Sequence, residues 1–145
     1  MQKINIVCVG KIKEEFFRGA VNEYLKRLSR FAKTEIREIA EGRSLEEEAS
    51  GIVRASKGYV FALCVEGVKL SSESFASEIK KHCDKGEEMT FIIGSSCGLS
   101  ETVKSSADFK LSFSDMTFPH QLMRVVLCEQ IYRCFMINSG SEYHK

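Results

Sequence analysis

Short apolar runs alternate with amphipathic segments along the whole chain. The runs are rich in Ile, Val and Phe and read KINIVCVG, TEIREIA, YVFALCVEG, EMTFIIG and FKLSF. The segments between them carry apolar residues at helical spacing, as the first one does at Phe17, Val21, Tyr24 and Leu28. This alternation predicts right-handed βαβ units, and therefore an α/β fold with a mostly parallel sheet and helices on both faces.

No internal repeat and no linker rich in Pro, Gly or Ser divides the 145 residues. We therefore expect one domain over residues 1–145, long enough to bury a hydrophobic core. The formal net charge is only +1, from 21 basic and 20 acidic residues, which excludes nucleic-acid binding by bulk charge. A local patch could still contact RNA. The stripe Lys26, Arg30 and Lys33 on the first helix fits that role or a merely solvated face.

Six cysteines occur without a C-x-x-C pair, and most of them lie in apolar runs. Because a zinc site needs clustered ligands, we expect no metal, and reduced thiols packed in the core of a cytoplasmic protein. No run approaches the ~18 apolar residues of a membrane span, so no membrane contact is expected. The amino terminus reads as a first strand and lacks the pattern of a signal peptide.

In open α/β sheets, ligands bind beyond the carboxyl ends of the strands. Here those ends are residues 63–67, 94–98 and 113–118, so three irregular loops point to one crevice. The stretch GSSCGLS follows a strand and precedes a helix but matches neither a P-loop nor a dinucleotide fingerprint. It is either a loop whose glycines let the backbone approach a flat ligand, or a tight turn without a ligand.

The stretch SDMTFP leads into the last helix, with the only proline of the chain, Pro119, at the first helical position. Phe118 is a poor N-cap, so the first helical amides need another partner. A ligand edge bonded by backbone groups is one solution, and the Thr117 hydroxyl or a water molecule is the other.

The last helix is apolar on most of its circumference, which predicts burial on two sides. The simplest second partner is another copy of the chain, in a two-fold dimer. Arg124 lies within the apolar arc and must be paired, because a lone buried charge is too costly. It either meets a carboxylate or points into a pocket for an anionic or polar ligand. Of the histidines, His120 stands beside the crevice, and we expect His82 to be on the surface.

Five stretches together resemble the RlmH (YbeA-like) family of SPOUT methyltransferases over the whole chain. They are INIVCVGKIKEEF, EYLKRL, ALCVEG, FIIGSSCGLS and, most specifically, LSFSDMTFPHQLMRVVLCEQIYRCFMINSGSEYHK. The resemblance implies a C-terminal trefoil knot, which residue patterns alone would have argued against. It also implies a homodimer with the last helix at its interface. The implied activity is methylation by S-adenosyl-L-methionine of N3 of the pseudouridine at position 1915 of 23S ribosomal RNA, on the assembled ribosome.

The resemblance also implies site residues. The cofactor-binding positions are Leu63, Gly94, Phe113, Ser114, Asp115, Met116, Thr117 and Phe118. The candidates for removing the imide proton or orienting the target are His120, Arg124, Arg133 and His144, and the resemblance implies that the tail of one subunit reaches the other's site. Ser95 departs from the family's usual second glycine, where a side chain narrows the pocket or adds a hydroxyl contact. Two other functions remain open, a non-catalytic ribosome- or RNA-binding module and a nucleotide-binding partner subunit.

Overall fold

Five strands and five helices alternate along the chain in the computed structural model, which describes residues 1–145. The strands are β1 (Gln2–Val9), β2 (Ala32–Ile39), β3 (Tyr59–Lys69), β4 (Met89–Ile93) and β5 (Phe109–Ser112). The helices are α1 (Glu15–Leu28), α2 (Leu45–Ala55), α3 (Ser72–Asp84), α4 (Glu101–Ser106) and α5 (His120–Asn138). The predicted alternation is therefore confirmed.

The strands form one sheet in the order β2-β1-β4-β3-β5, and every neighbouring pair is parallel. The central strand β4 and its neighbour β1 are the most deeply buried, since β4 is buried at all five positions and β1 from Ile4 to Val9. A strand that is covered on both faces needs a continuous apolar run, which explains why these two strands were recognisable in the sequence.

Each face of the sheet is covered by its own set of helices. Ile4, Ile6, Phe61 and Phe91 point into a core shared with α1, α3 and α5. Residues of the opposite pleat, among them Val7 and Ile92, pack with α2 and α4. The prediction of helices on both faces is confirmed. None of the helices has the length and apolar character needed to cross a membrane.

Serine side chains cap three of the helices. Ser44, Ser71 and Ser100 each accept a hydrogen bond from the backbone N–H three residues further on, which satisfies one free amide of α2, α3 and α4 respectively. Helix α5 has no side-chain cap. Pro119 occupies the N-cap position, whereas the sequence predicted it at the first helical position, which is taken by His120.

The predicted basic stripe of the first helix is wrong in its geometry. Helix α1 ends at Leu28, so Arg30 lies in the following turn and Lys33 belongs to β2. The helical spacing of the three side chains therefore does not place them on one helix face.

His82 is also not a surface residue. Its ring is buried on α3, stacks on Tyr59 with 3.9 Å between ring centroids, and hydrogen-bonds through Nδ1 to Glu87 at 2.6 Å. The charged neighbours in the sequence hid this role, because the period of a helix buries position 82 beside Ile79 while Lys80 and Lys81 remain exposed.

Helix α5 packs between α1 and α3 of its own chain. Leu127, Cys128, Ile131 and Cys134 are fully buried there. Both neighbours belong to the same chain, so the burial of α5 does not by itself require a second copy.

Candidate functional site

A cavity of about 710 Å³ opens at the carboxyl ends of β3, β4 and β5. Three stretches form most of its wall, residues 63–66, 93–99 and 113–120 without 115, and Lys104 and Met123 complete it. The crevice predicted from parallel-strand topology is thus present as a cavity at the expected strand ends, and half of its lining residues are apolar.

The first wall segment is an outward excursion from β3. Leu63 and Val68 both pair with Leu111 of β5, so the four residues between them leave the ladder, and the first three of these, Cys64 to Glu66, face the cavity. The strand returns at Gly67, where an added Cβ would lie 2.7 Å from the Lys110 carbonyl oxygen. Only glycine permits this close approach of two backbones.

The second segment is a tight turn after β4. The Ser95 carbonyl accepts a hydrogen bond from the Gly98 amide at 2.9 Å, and the Ser95 hydroxyl accepts one from the Cys97 amide at 3.3 Å. A Cβ on Gly94 would meet the Gly98 carbonyl oxygen at 2.4 Å, so residue 94 must be glycine for the turn to close. Ser95 lines the cavity, but its hydroxyl is engaged in the turn.

The third segment runs from β5 to α5. Residues 114–118 lie outside the strands and helices and make no backbone–backbone hydrogen bond. Within the segment, the Met116 amide donates to the Ser114 hydroxyl, and the Ser114 carbonyl accepts from the Ser112 hydroxyl. The remaining peptide groups have no protein partner, and Thr117 does not cap α5. The segment therefore presents donors and acceptors for the edge of a ligand.

One ion pair stands at the cavity wall. The Lys104 ammonium on α4 hydrogen-bonds to the Glu66 carboxylate, and both residues line the cavity. This contact lowers the pKa of Glu66 and raises that of Lys104, so both groups stay charged at neutral pH. The pair gives a half-apolar wall one acidic and one basic group.

Most of the predicted cofactor-binding residues converge on this cavity. Seven of the eight line it together with His120, and they are Leu63, Gly94, Phe113, Ser114, Met116, Thr117 and Phe118. The exception is Asp115, which is not part of the wall and whose carboxylate pairs with Lys69 at 2.7 Å. The other three candidates, Arg124, Arg133 and His144, do not line the cavity of their own chain.

Arg124 forms an ion pair with a carboxylate, which was one of the two environments predicted for its side chain. Its side chain is 1% exposed, donates to Glu38 Oε2 on β2 at 2.7 Å, and donates to the Gly10 carbonyl at 3.2 Å. Its Nε has no partner. The guanidinium therefore ties α5 to the ends of β1 and β2 and does not point into the cavity.

Arg133 and His144 belong to a cluster formed by the tail folding back on α5. Arg133 pairs with Glu129 at 2.7 Å and contacts His144 Nδ1 at 3.0 Å, while His144 Nε2 contacts Glu73 at 2.6 Å. The Tyr143 hydroxyl donates to Glu129, and burial together with this bond raises the pKa of Tyr143 to about 12. The tail is thus anchored by polar contacts with α3 and α5.

This arrangement of strands, helices and loops has counterparts among known proteins. The family model described as "Predicted SPOUT methyltransferase" matches residues 2–144. The chain belongs to the SPOUT methyltransferase family.

Curated relatives and solved structures agree with this SPOUT assignment. The chain is 47% identical to the ribosomal RNA large subunit methyltransferase H of Lactobacillus acidophilus, over 98% of this chain and 99% of that one. It is 45% identical to the protein of the same name from Streptococcus uberis, over 99% of both chains. Its fold is similar to that of a protein assigned to a methylase family from Neisseria gonorrhoeae, with a TM-score of 0.58, 13% identity and coverage of 99% of this chain and 87% of the other.

Several wall residues of this SPOUT site were not singled out from the sequence. Glu66 belongs to the segment 63–67 that was predicted to border the crevice, but its carboxylate was not identified from the sequence as a group of the cavity wall. Lys104 lies one helical turn beyond the Ser100 cap. The helical period of α4 could therefore have indicated that Lys104 lies on the same side of the helix as Ser100. No group of three or more His, Cys, Asp or Glu residues is placed to hold a metal ion.

Alkylation of the folded protein should modify Cys97 first, because it is exposed in the turn that lines the cavity. Cys8 and Cys128 are buried, and desolvation raises the pKa of both to about 12, so few thiolates form there. Peptide mapping after brief iodoacetamide treatment at neutral pH measures the order. Modification of Cys8 or Cys128 ahead of Cys97 in folded protein would contradict the burial of these two thiols.

Proposed function

We propose that this chain methylates N3 of a pseudouridine in large-subunit ribosomal RNA, at position 1915 of 23S ribosomal RNA, on the assembled ribosome and with S-adenosyl-L-methionine as donor. The observation that carries the proposal is the cavity walled by three strand-end loops, with unbonded peptide groups at residues 114–118. It occurs in a SPOUT chain whose 45–47% identical relatives are named for methylation of this RNA. The proposal includes a cytoplasmic location, because the ribosome is the proposed substrate, and the six free cysteines are compatible with that reducing compartment.

The residues present fit the proposed cofactor. The volume suits a nucleoside joined to an amino acid, and the wall offers apolar side chains, free peptide edges and the Glu66–Lys104 pair. Leu63, Gly94 and residues 113–118 would hold it, with Asp115 contributing its backbone because its carboxylate is engaged by Lys69. When bound, the cofactor supplies an electrophilic methyl group on a sulfonium.

The protein's own task is to position the nucleotide and favour loss of its imide proton. His120 is the candidate proton acceptor within the cavity, because it alone of the titratable candidates lines the wall. Arg124 is a positioning residue, because its bonds to Glu38 and to the Gly10 carbonyl fix α5 against the ends of β1 and β2. Arg133 and His144 would orient the nucleotide or stabilise the anion in the site of the partner subunit.

The proposal includes a homodimer, because residues 133 and 144 lie outside the cavity of their own chain. Exposed apolar side chains near the start of α5 are available for such an interface; Leu122 is 37% exposed and Met116 75%. Sedimentation equilibrium at micromolar concentration tests for the homodimer, and a molar mass equal to that of one chain would contradict it.

We include the family's C-terminal knot in the same proposal. Strand β5 lies at one edge of the sheet beside β3, whereas α5 packs against α1 and begins beside the loop after β1. The chain from β5 to α5 must therefore pass the carboxyl ends of β3 and β4. That crossing is the path that a knot requires.

Calorimetric titration with S-adenosyl-L-methionine, followed by transfer of a labelled methyl group to purified ribosomes, tests the function. We expect binding, transfer to whole ribosomes and none to free RNA, with the product mapped by mass spectrometry of ribosomal nucleosides. Absence of cofactor binding together with tight ribosome binding would instead identify a non-catalytic ribosome-binding module.

Removal of residues 141–145 should leave cofactor binding intact and abolish methyl transfer. The hydrogen bonds of the tail go to α3, to α5 and to the tail itself, and none of its residues lines the cavity, so the cavity wall remains complete without it. Calorimetry and a single-turnover assay on the same truncated protein separate the two effects. Normal turnover by that protein would show that the tail is dispensable.

A further inference from the structure

The loop between β1 and α1, residues 10–13, is fastened to the start of α5 at both ends. The Arg124 guanidinium donates to the Gly10 carbonyl at 3.2 Å, and the Lys13 amide donates to the Gln121 side-chain oxygen at 3.0 Å. Arg18 of α1 adds a third bond, to the Ile12 carbonyl at 2.8 Å. The loop therefore has a defined position relative to α5.

That position is beside the cavity. Gln121, which holds the loop, lies between His120 and Met123, and both of these residues line the cavity. A polynucleotide whose base enters the cavity would bring its neighbouring phosphates past this loop.

Within the loop, Ile12 is buried and the two lysines that flank it are exposed. Neither Lys11 nor Lys13 forms an ion pair, whereas many other surface cations of the chain do, such as Lys69, Lys80 and Lys104. Of the carboxylates on the adjoining segments, Glu15 pairs with Arg18, and neither Glu14 nor Glu41 forms an ion pair with Lys11 or Lys13. Two exposed ammonium groups without an ion-pair partner thus stand on a positioned loop next to the cavity.

We propose that Lys11 and Lys13 bind phosphates of the RNA that flanks the methylated nucleotide. The inference rests on the proposed function and adds the surface by which the substrate is held. It also explains how a chain with a net charge of only +1 could engage RNA: the charge is local and its loop backbone is already positioned, so little loop entropy remains to be lost on binding.

The test compares the double variant Lys11→Gln/Lys13→Gln with Lys57→Gln/Lys85→Gln. The control lysines are exposed, form no ion pair and precede β3 and β4, so they lie at the opposite end of the parallel strands from the loop. Their replacement removes the same charge. Affinity for purified ribosomes is measured between about 50 and 200 mM salt, a range over which phosphate contacts change binding strongly.

We expect the loop variant to bind ribosomes roughly tenfold more weakly. Its plot of log affinity against log salt should be shallower by about two, one for each phosphate that the variant no longer binds. Lys11→Arg/Lys13→Arg should restore both quantities, and calorimetry should show unchanged cofactor affinity. An unchanged salt slope in the loop variant, or an equal change in the control, would overturn the inference.

Formaldehyde crosslinking of the complex identifies the partner directly. Nucleotides attached to the Lys11 or Lys13 peptide support the inference, and ribosomal-protein peptides attached there instead would refute it. These measurements do not depend on turnover, so wild-type protein that binds ribosomes without transferring methyl groups would defeat the proposed function alone. Wild-type protein that does not bind ribosomes would defeat both.

Discussion

Replacement of Arg124 by Ala should lower the free energy of unfolding by about 3 kcal/mol and reduce methyl transfer. The side chain is fully buried, and its loss removes the bonds to Glu38 and to the Gly10 carbonyl and leaves a void under α5. The partner carboxylate is 36% exposed and would regain hydration, which limits the cost. Urea denaturation followed by circular dichroism measures the change.

The reverse replacement, Glu38→Ala, is expected to be at least as destabilising, about 3–5 kcal/mol, because it leaves the buried guanidinium without a counter-charge. Arg37→Ala is the matched control on the same strand. That arginine is exposed and pairs only with Glu35, so the expected change stays within about 0.5 kcal/mol. If Arg124→Ala were as stable and as active as the wild type, the ion pair would have no structural role.

Replacement of Gly94 by Ala should weaken cofactor binding roughly 10- to 100-fold while the protein stays folded. The new methyl group would lie 2.4 Å from the Gly98 carbonyl oxygen, so the turn that walls the cavity must open. Backbone resists such a shift more than a flexible side chain does. Calorimetry with S-adenosyl-L-methionine measures the loss, and the thermal unfolding midpoint confirms that the fold persists.

Gly19→Ala provides the comparison. Gly19 is exposed in the interior of α1 with no neighbouring atom within 4 Å of an added Cβ, so the change should stabilise the protein by about 0.5–1 kcal/mol without altering affinity. Wild-type affinity in the Gly94→Ala protein would mean that this turn does not shape the ligand site.

The sheet and the crevice were predictable because both follow from short-range patterns. Runs such as INIVCV specify buried strands, and parallel strands place their carboxyl ends at one edge. The Ser44 and Ser100 caps are also short-range features, since a cap depends on residues only three positions apart.

The contacts that escaped prediction join residues distant in sequence or at element boundaries. The pairing of Arg124 with Glu38 requires knowing that α5 crosses the ends of β1 and β2, and helical spacing does not contain that information. The burial of His82 depends on stacking against Tyr59 of β3. The predicted basic stripe failed at the end of α1, because Lys26, Arg30 and Lys33 have helical spacing but fall into a helix, a turn and a strand.

The strand order has a consequence for synthesis of the chain on the ribosome. Strand β1 pairs with β4 as well as β2. The backbone hydrogen bonds of β1 on its β4 side, where Ile4 lies opposite Met89, cannot form until β4 has been synthesised. The nascent chain can form only the β1–β2 ladder early, and the ligand cavity closes only after Met123 has left the exit tunnel. Folding is therefore expected to be slow, and a nascent chain that still lacks Met123 could not form the complete cavity.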